Sequence, residues 1–91
     1  MNLTELQALE ERYLMRTYKR APVDFVRGEG PLLWDAAGKR YLDFLTGISV
    51  CSVGHCHPQV VKAVHEQSHR LIHVSNLFYT EPMAKLAERL A

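Results

Sequence analysis

The first residues of the chain repeat apolar side chains at the spacing of an amphipathic helix. Leucine or tyrosine recurs at three- and four-residue intervals between residue 3 and about residue 16, and Glu or Arg occupies most positions between them. This pattern predicts a helix with one apolar face. Asn2 or Thr4 is suited to cap its N-terminus, and Thr4 followed by Gln7 fits a capping box.

Three short apolar segments separated by turn residues follow this helix and predict strands. The segments are residues 23–28, 32–35 and 40–44. The Gly- and Pro-containing residues 28–31 join the first two segments, and residues 36–39 join the last two. Gly38 is free to take the positive φ that such a tight turn needs. The segments therefore predict a small antiparallel meander of three strands.

Two further helices are predicted in the second half of the chain. Pro58 suits the first turn of a helix that extends to about residue 73, with a stripe of Val, Leu and Ile on one side. Thr80 or Glu81 caps the last helix, and Pro82 lies in its first turn. Apolar residues then recur at the i, i+3, i+4, i+7 spacing from residue 83 to 90.

Two irregular segments, residues 45–54 and 75–80, have neither the strand nor the helix period and are interpreted as loops. The predicted fold class is an α+β segment that comprises an N-terminal helix, a small antiparallel three-stranded meander and two further helices. The last helical pattern stops without Gly, Asn or Pro, which are usual helix terminators. This ending predicts that residues 1–91 belong to a larger protein.

Composition narrows the choice of partners and compartment. Eleven Lys and Arg face ten Asp and Glu, which gives a net charge of +1 and no electrostatic reason to expect nucleic acid or an acidic membrane as a partner. No apolar run reaches the roughly 18 residues of a membrane span, and the acidic N-terminus is unlike a secretory signal. The two cysteines are interpreted as reduced thiols in a cytoplasm.

Cys and His side chains form two groups that suggest metal ligands. One group comprises Cys51, His55, Cys56 and His57, and the other comprises His65, His69 and His73. Structural zinc sites usually combine two separated ligand pairs, whereas the first group is crowded into seven residues. The alternatives are a sharp turn at Gly54 with a locally hydrogen-bonded His ring, and a solvated helix face. We assign no metal ligand, and a non-enzymatic zinc or interaction module stays as the alternative function.

Several short motifs occur in an order and spacing that resemble one family. They are Arg-Gly-Glu-Gly at 27–30, Leu-Trp-Asp-Ala-Ala-Gly-Lys at 33–39, Tyr-Leu-Asp-Phe at 41–44, Gly-Ile-Ser-Val at 47–50, Gly-His-Cys-His-Pro at 54–58 and Ser-Asn-Leu-Phe-Tyr at 75–79. From about Tyr13 to Ala91 the chain resembles class III (ornithine/acetylornithine-type) aminotransferases. The motif at 75–79, with Glu81 and Pro82 after it, narrows the resemblance to the acetylornithine branch.

This resemblance implies a fold-type I transferase (α/β) that depends on pyridoxal phosphate (PLP) and forms a homodimer with active sites at the subunit interface. The implied reaction moves an amino group between N-acetylornithine and 2-oxoglutarate in arginine biosynthesis. The same enzymes often act on succinyl-diaminopimelate in lysine biosynthesis. Ornithine, succinylornithine and 4-aminobutyrate are alternative substrates within the class.

The resemblance also implies which parts of such an enzyme lie within residues 1–91. The family holds the PLP phosphate with a Ser-Gly-x-Glu-Ala-Asn segment and forms a Schiff base with a Lys, and both motifs come after the position of Ala91. No catalytic or cofactor-binding residue is therefore expected here. Residues 1–91 are expected to be an N-terminal segment that lacks the large PLP-binding domain, and to be inactive and poorly folded when alone.

Four residues match positions of the family's substrate pocket. Ile48 matches a position on the substrate side of PLP, and Asn76, Leu77 and Tyr79 match a second wall of the pocket. An apolar Ile48 would shape the pocket, and Asn76 could hydrogen-bond a substrate amide or carboxylate. The alternatives are core packing for Ile48 and a turn hydrogen bond with its own backbone for Asn76.

Overall fold

The computed structural model describes all residues from Met1 to Ala91 and confirms the α+β class. The elements in chain order are α1 (Leu3–Tyr13), β1 (Phe25–Glu29), β2 (Leu32–Asp35), β3 (Arg40–Leu42), α2 (Thr46–Ser49), α3 (Pro58–Ser68) and α4 (Glu81–Leu90). Contacts divide the chain into two compact units, Met1–Pro58 and Gln59–Ala91. The first unit contains the sheet, and the second contains α4 and nearly all of α3.

Helix α1 begins as predicted but has a different cap and an earlier end. The side chain of Asn2 accepts a hydrogen bond from the Glu5 N–H at 2.9 Å, and the Glu5 carboxylate accepts one from the Asn2 N–H at 3.0 Å. The capping box is therefore Asn2–Glu5, and the prediction of Thr4–Gln7 was wrong because Thr4 already lies inside the first turn. The extended backbone of Leu14 ends the helix.

The three strands form the predicted antiparallel meander in the order β1-β2-β3. Leu33 of the central strand lies opposite Gly28 on one side and Tyr41 on the other. The β2–β3 connection is the predicted turn, with Gly38 at φ +87°. The pairing register between β1 and β2 shifts between Phe25 and Arg27, and this shift marks a β-bulge in β1.

Side chains from all three strands contact one another on the sheet. The Arg27 guanidinium lies 3.6 Å from the centre of the Trp34 ring, within the range of a cation–π contact. Phe25 and Tyr41 meet edge to face with ring centroids 5.3 Å apart. The Tyr41 hydroxyl donates a hydrogen bond to Asp35 Oδ2 at 3.0 Å. These cross-strand pairs are the contacts that set the register of the meander.

Helix α3 begins at Pro58 as predicted and ends at Ser68, short of the predicted residue 73. Its C-terminus is closed by Gln67, whose carbonyl oxygen accepts hydrogen bonds from the N–H groups of Arg70 and Leu71, both at 3.0 Å. The Gln67 side-chain amide in turn donates to the Leu71 carbonyl oxygen at 2.9 Å. Local hydrogen bonds therefore stop the helix although its apolar stripe continues in the sequence.

Helix α4 has the predicted start. Thr80 is the N-cap residue, although its side chain makes no capping hydrogen bond, and Pro82 lies in the first turn. Glu81 occupies the first turn, where the helix dipole favours negative charge. Glu81 also forms an ion pair with Lys85 one turn later.

Neither unit encloses a core. No residue of the chain is fully buried, and the stripes predicted as inner faces are open, with Val64 of α3 62% exposed and Leu86 of α4 59% exposed. Exposed apolar faces of this extent mark surfaces that contact other molecules. No helix of the chain combines the length and the apolar character that crossing a membrane requires.

Candidate functional site

The segment that carries Ile48 has a left-handed backbone. Thr46, Gly47, Ile48 and Ser49 have φ values of 54°, 63°, 57° and 68°. For each residue other than glycine this conformation costs roughly 1–2 kcal/mol, because the Cβ approaches the following carbonyl oxygen. These residues are the short element α2, which lies in the segment predicted as a loop and is a left-handed turn, not a right-handed helix. We call residues 46–49 the left-handed turn. Such a turn persists only where neighbouring groups hold it in place.

Asp43 holds the start of the left-handed turn. Its Oδ1 accepts hydrogen bonds from the N–H groups of Leu45 at 2.8 Å and Thr46 at 3.0 Å. The Asp43 N–H donates to the Pro31 carbonyl oxygen at 2.8 Å, which ties this residue to the β1–β2 connection. At the other end, the Cys51 N–H donates to the Thr46 carbonyl oxygen at 2.8 Å. The turn is thus fixed on both sides by hydrogen bonds.

The second oxygen of Asp43 contacts His55. His55 Nε2 lies 2.5 Å from Asp43 Oδ2, and the two side chains are only 17% and 8% exposed, respectively. The His55 backbone pairs with Gly30 through two hydrogen bonds of 3.0 and 2.8 Å. The His55 side chain also lies so close to Gly28 that a Cβ there would be 2.8 Å from His55 Cβ and Cγ. We call Asp43 and His55 the Asp–His pair.

The hydrogen bonds to Asp43 favour its charged form. The hydrogen bond with His55, and then those from the N–H groups of Thr46 and Leu45, hold the pKa of Asp43 below its usual value of 3.8. Partial burial acts in the opposite direction but is outweighed. The folded chain therefore holds a carboxylate at this point more firmly than the unfolded chain does.

This lowered pKa predicts how Asp43→Asn changes stability with pH. A carboxyl group whose pKa is lower in the folded state stabilises that state above its unfolded pKa of about 3.9, and the stabilisation is lost as the pH falls through the folded pKa. At pH 7 we expect the full-length protein with Asn at position 43 to melt at a lower temperature than the wild type. The gap is expected to narrow below about pH 4. Thermal midpoints of both proteins from pH 7 to pH 3 test this, and a gap that widens on acidification would contradict it.

The second irregular segment surrounds part of an open hollow. Residues 75–79 pass along a hollow of about 320 Å³ within the second unit, and Asn76 and Phe78 are among its lining residues. Ser75 begins the segment with a positive φ of 71°, and its hydroxyl accepts a hydrogen bond from the Leu77 N–H at 3.3 Å. Leu77 and Tyr79 do not line the hollow, and their side chains are 83% and 101% exposed. Further lining residues are Gln67, Leu71, Val74 and Met83.

The four residues predicted for a substrate pocket divide between the two units. Ile48 belongs to the first unit, whereas Asn76, Leu77 and Tyr79 belong to the second. Ile48 is 90% exposed, so it does not pack in a core of this chain. The structure records no hydrogen bond of the Asn76 side chain, so this amide is not engaged in its own turn. All four side chains are therefore available to a ligand or to further protein.

The Cys and His groups do not come together as a metal site. Nowhere does the chain gather three or more His, Cys, Asp or Glu side chains in an arrangement that could hold a metal ion. His65 and His69 are neighbours on one face with ring centroids 4.7 Å apart, and His69 Nδ1 donates to the His65 carbonyl oxygen at 2.8 Å. The alternative of a zinc module therefore lacks a ligand set.

The lysines of this chain do not fit the anchor of a PLP cofactor. A Schiff-base lysine is activated by desolvation or by a neighbouring cation. All four lysines are exposed: Lys19, Lys39, Lys62 and Lys85. Lys62 lies 3.9 Å from Glu66, and Lys85 pairs with Glu81, so their nearest charged neighbours are carboxylates. No step of PLP chemistry is therefore assigned to residues 1–91.

The sequence did not reveal the Asp–His pair. Asp43 directly follows β3, but its partner His55 lies twelve residues further along the chain. The usable signal was an Asp directly after a strand, then an apolar segment without period, then a His directly after Gly54. A pairing across this separation becomes visible only once the backbone pairing of Gly30 and His55 is known.

One family model and several curated proteins match most of this chain. Residues 13–91 match the family described as Aminotransferase class-III. The chain is 56% identical over 78 residues to the acetylornithine aminotransferase of Nitrosomonas europaea, covering 86% of this chain and 20% of that protein. It is 52% identical over 87 residues to the acetylornithine aminotransferase of Methanopyrus kandleri, covering 96% and 22%. The chain thus spans about one fifth of the length of these curated relatives.

Solved structures share the same backbone. The acetylornithine aminotransferase of Elizabethkingia anophelis superposes with a TM-score of 0.93 at 36% identity, covering 99% of this chain and 24% of that chain. The ornithine delta-aminotransferase of Plasmodium falciparum superposes with a TM-score of 0.90 at 28% identity, with the same two coverages of 99% and 24%. The backbone of this chain therefore matches that of about a quarter of each of these two chains.

Proposed function

Since this chain belongs to the class-III aminotransferase family, which matches residues 13–91, we propose that it forms the N-terminal segment of an acetylornithine aminotransferase. The reaction in this proposal moves an amino group between N-acetylornithine and 2-oxoglutarate in arginine biosynthesis, and extends to succinyl-diaminopimelate in lysine biosynthesis. One observation carries the proposal. Among the solved structures, identity to the acetylornithine aminotransferase of Elizabethkingia anophelis is 36%, whereas identity to the ornithine delta-aminotransferase of Plasmodium falciparum is 28%.

In this proposal Ile48, Asn76, Leu77 and Tyr79 contribute side chains to the substrate pocket. Ile48 offers an apolar surface to the aliphatic part of the amino-acid substrate, and the unengaged Asn76 amide hydrogen-bonds its acyl amide or carboxylate. Leu77 and Tyr79 complete the second wall. The exposure of Ile48, Leu77 and Tyr79 supports these roles, because apolar side chains with no cover in the chain are available to other molecules.

The cofactor chemistry belongs to a large domain beyond residue 91 in this proposal. Class-III aminotransferases depend on PLP, which when bound serves as an electron sink for the carbon that bears the amino group. The phosphate-binding segment and the Schiff-base lysine are supplied by the rest of the protein in this proposal, because the family motifs for both come after the position of Ala91. The protein acts as a cytoplasmic homodimer, and the open apolar faces of α3 and α4 supply surface for the large domain or the partner subunit.

Substrate preference tests the proposal. In the full-length protein saturated with PLP, we expect kcat/KM for N-acetylornithine to exceed that for 4-aminobutyrate by about tenfold or more, because a pocket built for an acyl amide leaves polar groups unpaired when a substrate lacks it. Coupled assays with 2-oxoglutarate as acceptor would compare N-acetylornithine, succinylornithine, ornithine and 4-aminobutyrate. Faster turnover of 4-aminobutyrate would overturn the assignment. A reading frame that continues past Ala91 without a Ser-Gly-x-Glu-Ala-Asn-like segment would do the same.

Ornithine is the second candidate substrate. It is supported by the TM-score of 0.90 with the ornithine delta-aminotransferase of Plasmodium falciparum. The same assays separate the two candidates, since a higher kcat/KM for ornithine than for N-acetylornithine would move the assignment within the family.

A further inference from the structure

We infer that Asp43 and His55 are positioning residues, which fix the left-handed turn and thereby place Ile48 against the amino-acid substrate. This inference rests on the proposed function, because it concerns the wall that Ile48 forms. Neither residue needs to touch the substrate. Their role is to anchor the left-handed turn to the rigid sheet, because the backbone of the turn would otherwise lose its positive φ values.

His55, which joins the Asp–His pair to the sheet, is held rigidly. The His55 backbone is joined to Gly30 by two hydrogen bonds of 3.0 and 2.8 Å, directly after β1. Its side chain lies so close to Gly28 of β1 that a Cβ at position 28 would be 2.8 Å from His55 Cβ and Cγ. The imidazole therefore has little freedom to move, and with 17% exposure it is largely shielded from water.

Asp43 joins His55 to the left-handed turn through the two oxygens of its carboxylate. Asp43 Oδ2 contacts His55 Nε2 at 2.5 Å, while Oδ1 accepts the N–H groups of Leu45 and Thr46 at 2.8 and 3.0 Å. Thr46 is the first residue of the left-handed turn, and Ile48 follows two residues later. The Asp43 side chain is only 8% exposed, and its charged carboxylate accepts three hydrogen bonds, so its position is firmly fixed.

Strain in the left-handed turn explains why the hydrogen bonds of Asp43 are needed. Thr46 and Ile48 are β-branched residues in a conformation that β-branched residues rarely adopt. Without the hydrogen bonds that the N–H groups of Leu45 and Thr46 donate to Asp43, the backbone would be free to return to negative φ, which would turn the Ile48 side chain in a different direction. A displacement of about 1 Å at a substrate-contacting group is enough to reduce turnover by roughly 100-fold.

Substitutions at His55 in the full-length, PLP-saturated enzyme test this inference. His55→Leu removes the hydrogen-bonding group, whereas His55→Gln places an amide nitrogen near the position of Nε2. The readout is the ratio of kcat/KM for N-acetylornithine to that for ornithine, with KM and kcat determined separately. We expect His55→Leu to change this ratio by about tenfold or more, chiefly through KM. We expect His55→Gln to keep it within about threefold because the hydrogen bond is retained.

Two further variants serve as references. Ile48→Ala removes the placed side chain itself and is expected to change the ratio in the same direction as His55→Leu. Tyr41→Phe removes another side-chain hydrogen bond to a carboxylate of the same sheet, that of Asp35 at 3.0 Å, which does not reach the turn. It is expected to lower the melting temperature and to leave the ratio unchanged. Should His55→Leu fail to fold, the isosteric Asp43→Asn takes its place, with the same expected change.

The outcomes separate this inference from the proposed function. If the wild type transfers the amino group of N-acetylornithine but His55→Leu and Asp43→Asn behave like Tyr41→Phe, the positioning role is overturned and the function stands. An unchanged ratio in Ile48→Ala overturns the positioning role as well. A wild type without activity on N-acetylornithine or ornithine overturns the proposed function itself.

Discussion

The isolated chain of residues 1–91 is expected to show no cooperative unfolding transition. A compact monomer of 10.4 kDa exposes about 5,400 Å² of surface, whereas this chain exposes 8712 Å² and has no fully buried residue. A fully unfolded chain of this mass exposes roughly 15,000 Å². The chain therefore buries about two fifths of its surface, well below the roughly three fifths or more that small stable domains bury.

The physical reason is a shortage of hydrophobic stabilisation. Native domains are more stable than their unfolded chains by only about 5–15 kcal/mol, and each Å² of apolar area left in water forgoes about 25 cal/mol. The open helix faces lack the second layer that a stable domain packs against them. Helices of ten or eleven residues, such as α3 and α4, are marginal in water without such packing.

Circular dichroism of the isolated chain tests this expectation. The far-UV signal should fall gradually on heating, and the near-UV signal of Trp34, the only tryptophan, should be weak. The control is the same chain mixed or co-expressed with the remainder of the protein, where a cooperative transition is expected to return. A sharp transition with a native-like Trp34 signal in the isolated chain would show that the expectation is wrong.

Gly28→Ala is expected to destabilise the full-length protein by roughly 1–3 kcal/mol. The added Cβ would lie 2.8 Å from His55 Cβ and Cγ and 3.2 Å from Leu33 Cδ2. Gly28 does not have a positive φ, so alanine fits its backbone and the effect comes from crowding alone. The neighbours cannot retreat easily, because His55 is fixed by its backbone pairing with Gly30 and Leu33 is in the central strand.

A double-mutant cycle checks the cause of this destabilisation. In a His55→Ala background His55 Cγ, one of the three crowding atoms, is gone. Gly28→Ala is therefore expected to cost less there, with a coupling of about 0.5–3 kcal/mol. Gly38→Ala is the matched control, because its φ is +87° and no atom lies within 4 Å of the added Cβ. Its effect should be the same in both backgrounds. Additive effects of Gly28→Ala and His55→Ala would refute the crowding explanation.

Elements with local signals were predictable from the sequence. The apolar period of α1, the turn residues around β2 and the position of Pro82 in α4 each depend on neighbours within about four residues, and the structure confirms all three. The end of α3 was less predictable. The apolar stripe continues past Ser68, but hydrogen bonds of the Gln67 side chain and carbonyl oxygen end the helix. The spacing of apolar residues contains no information about such hydrogen bonds.

The candidate site was less predictable because distant contacts shape it. Thr46, Ile48 and Ser49 have no intrinsic preference for positive φ, so their sequence predicts no left-handed turn. The turn exists because Asp43 and His55, brought together by the sheet, hold it. Sequence resemblance identified Ile48 as a candidate pocket residue, and the structure adds the surrounding hydrogen bonds.

The left-handed turn has a consequence for engineering this protein. Libraries screened only for thermostability would favour glycine or asparagine at positions 46 and 48, because these residues tolerate φ values of 54° and 57° better than threonine and isoleucine do. Glycine at position 48 would relieve backbone strain and delete the proposed substrate contact at once. Directed evolution at these sites therefore requires simultaneous screening for turnover, since thermal tolerance alone would enrich stable variants with a damaged pocket.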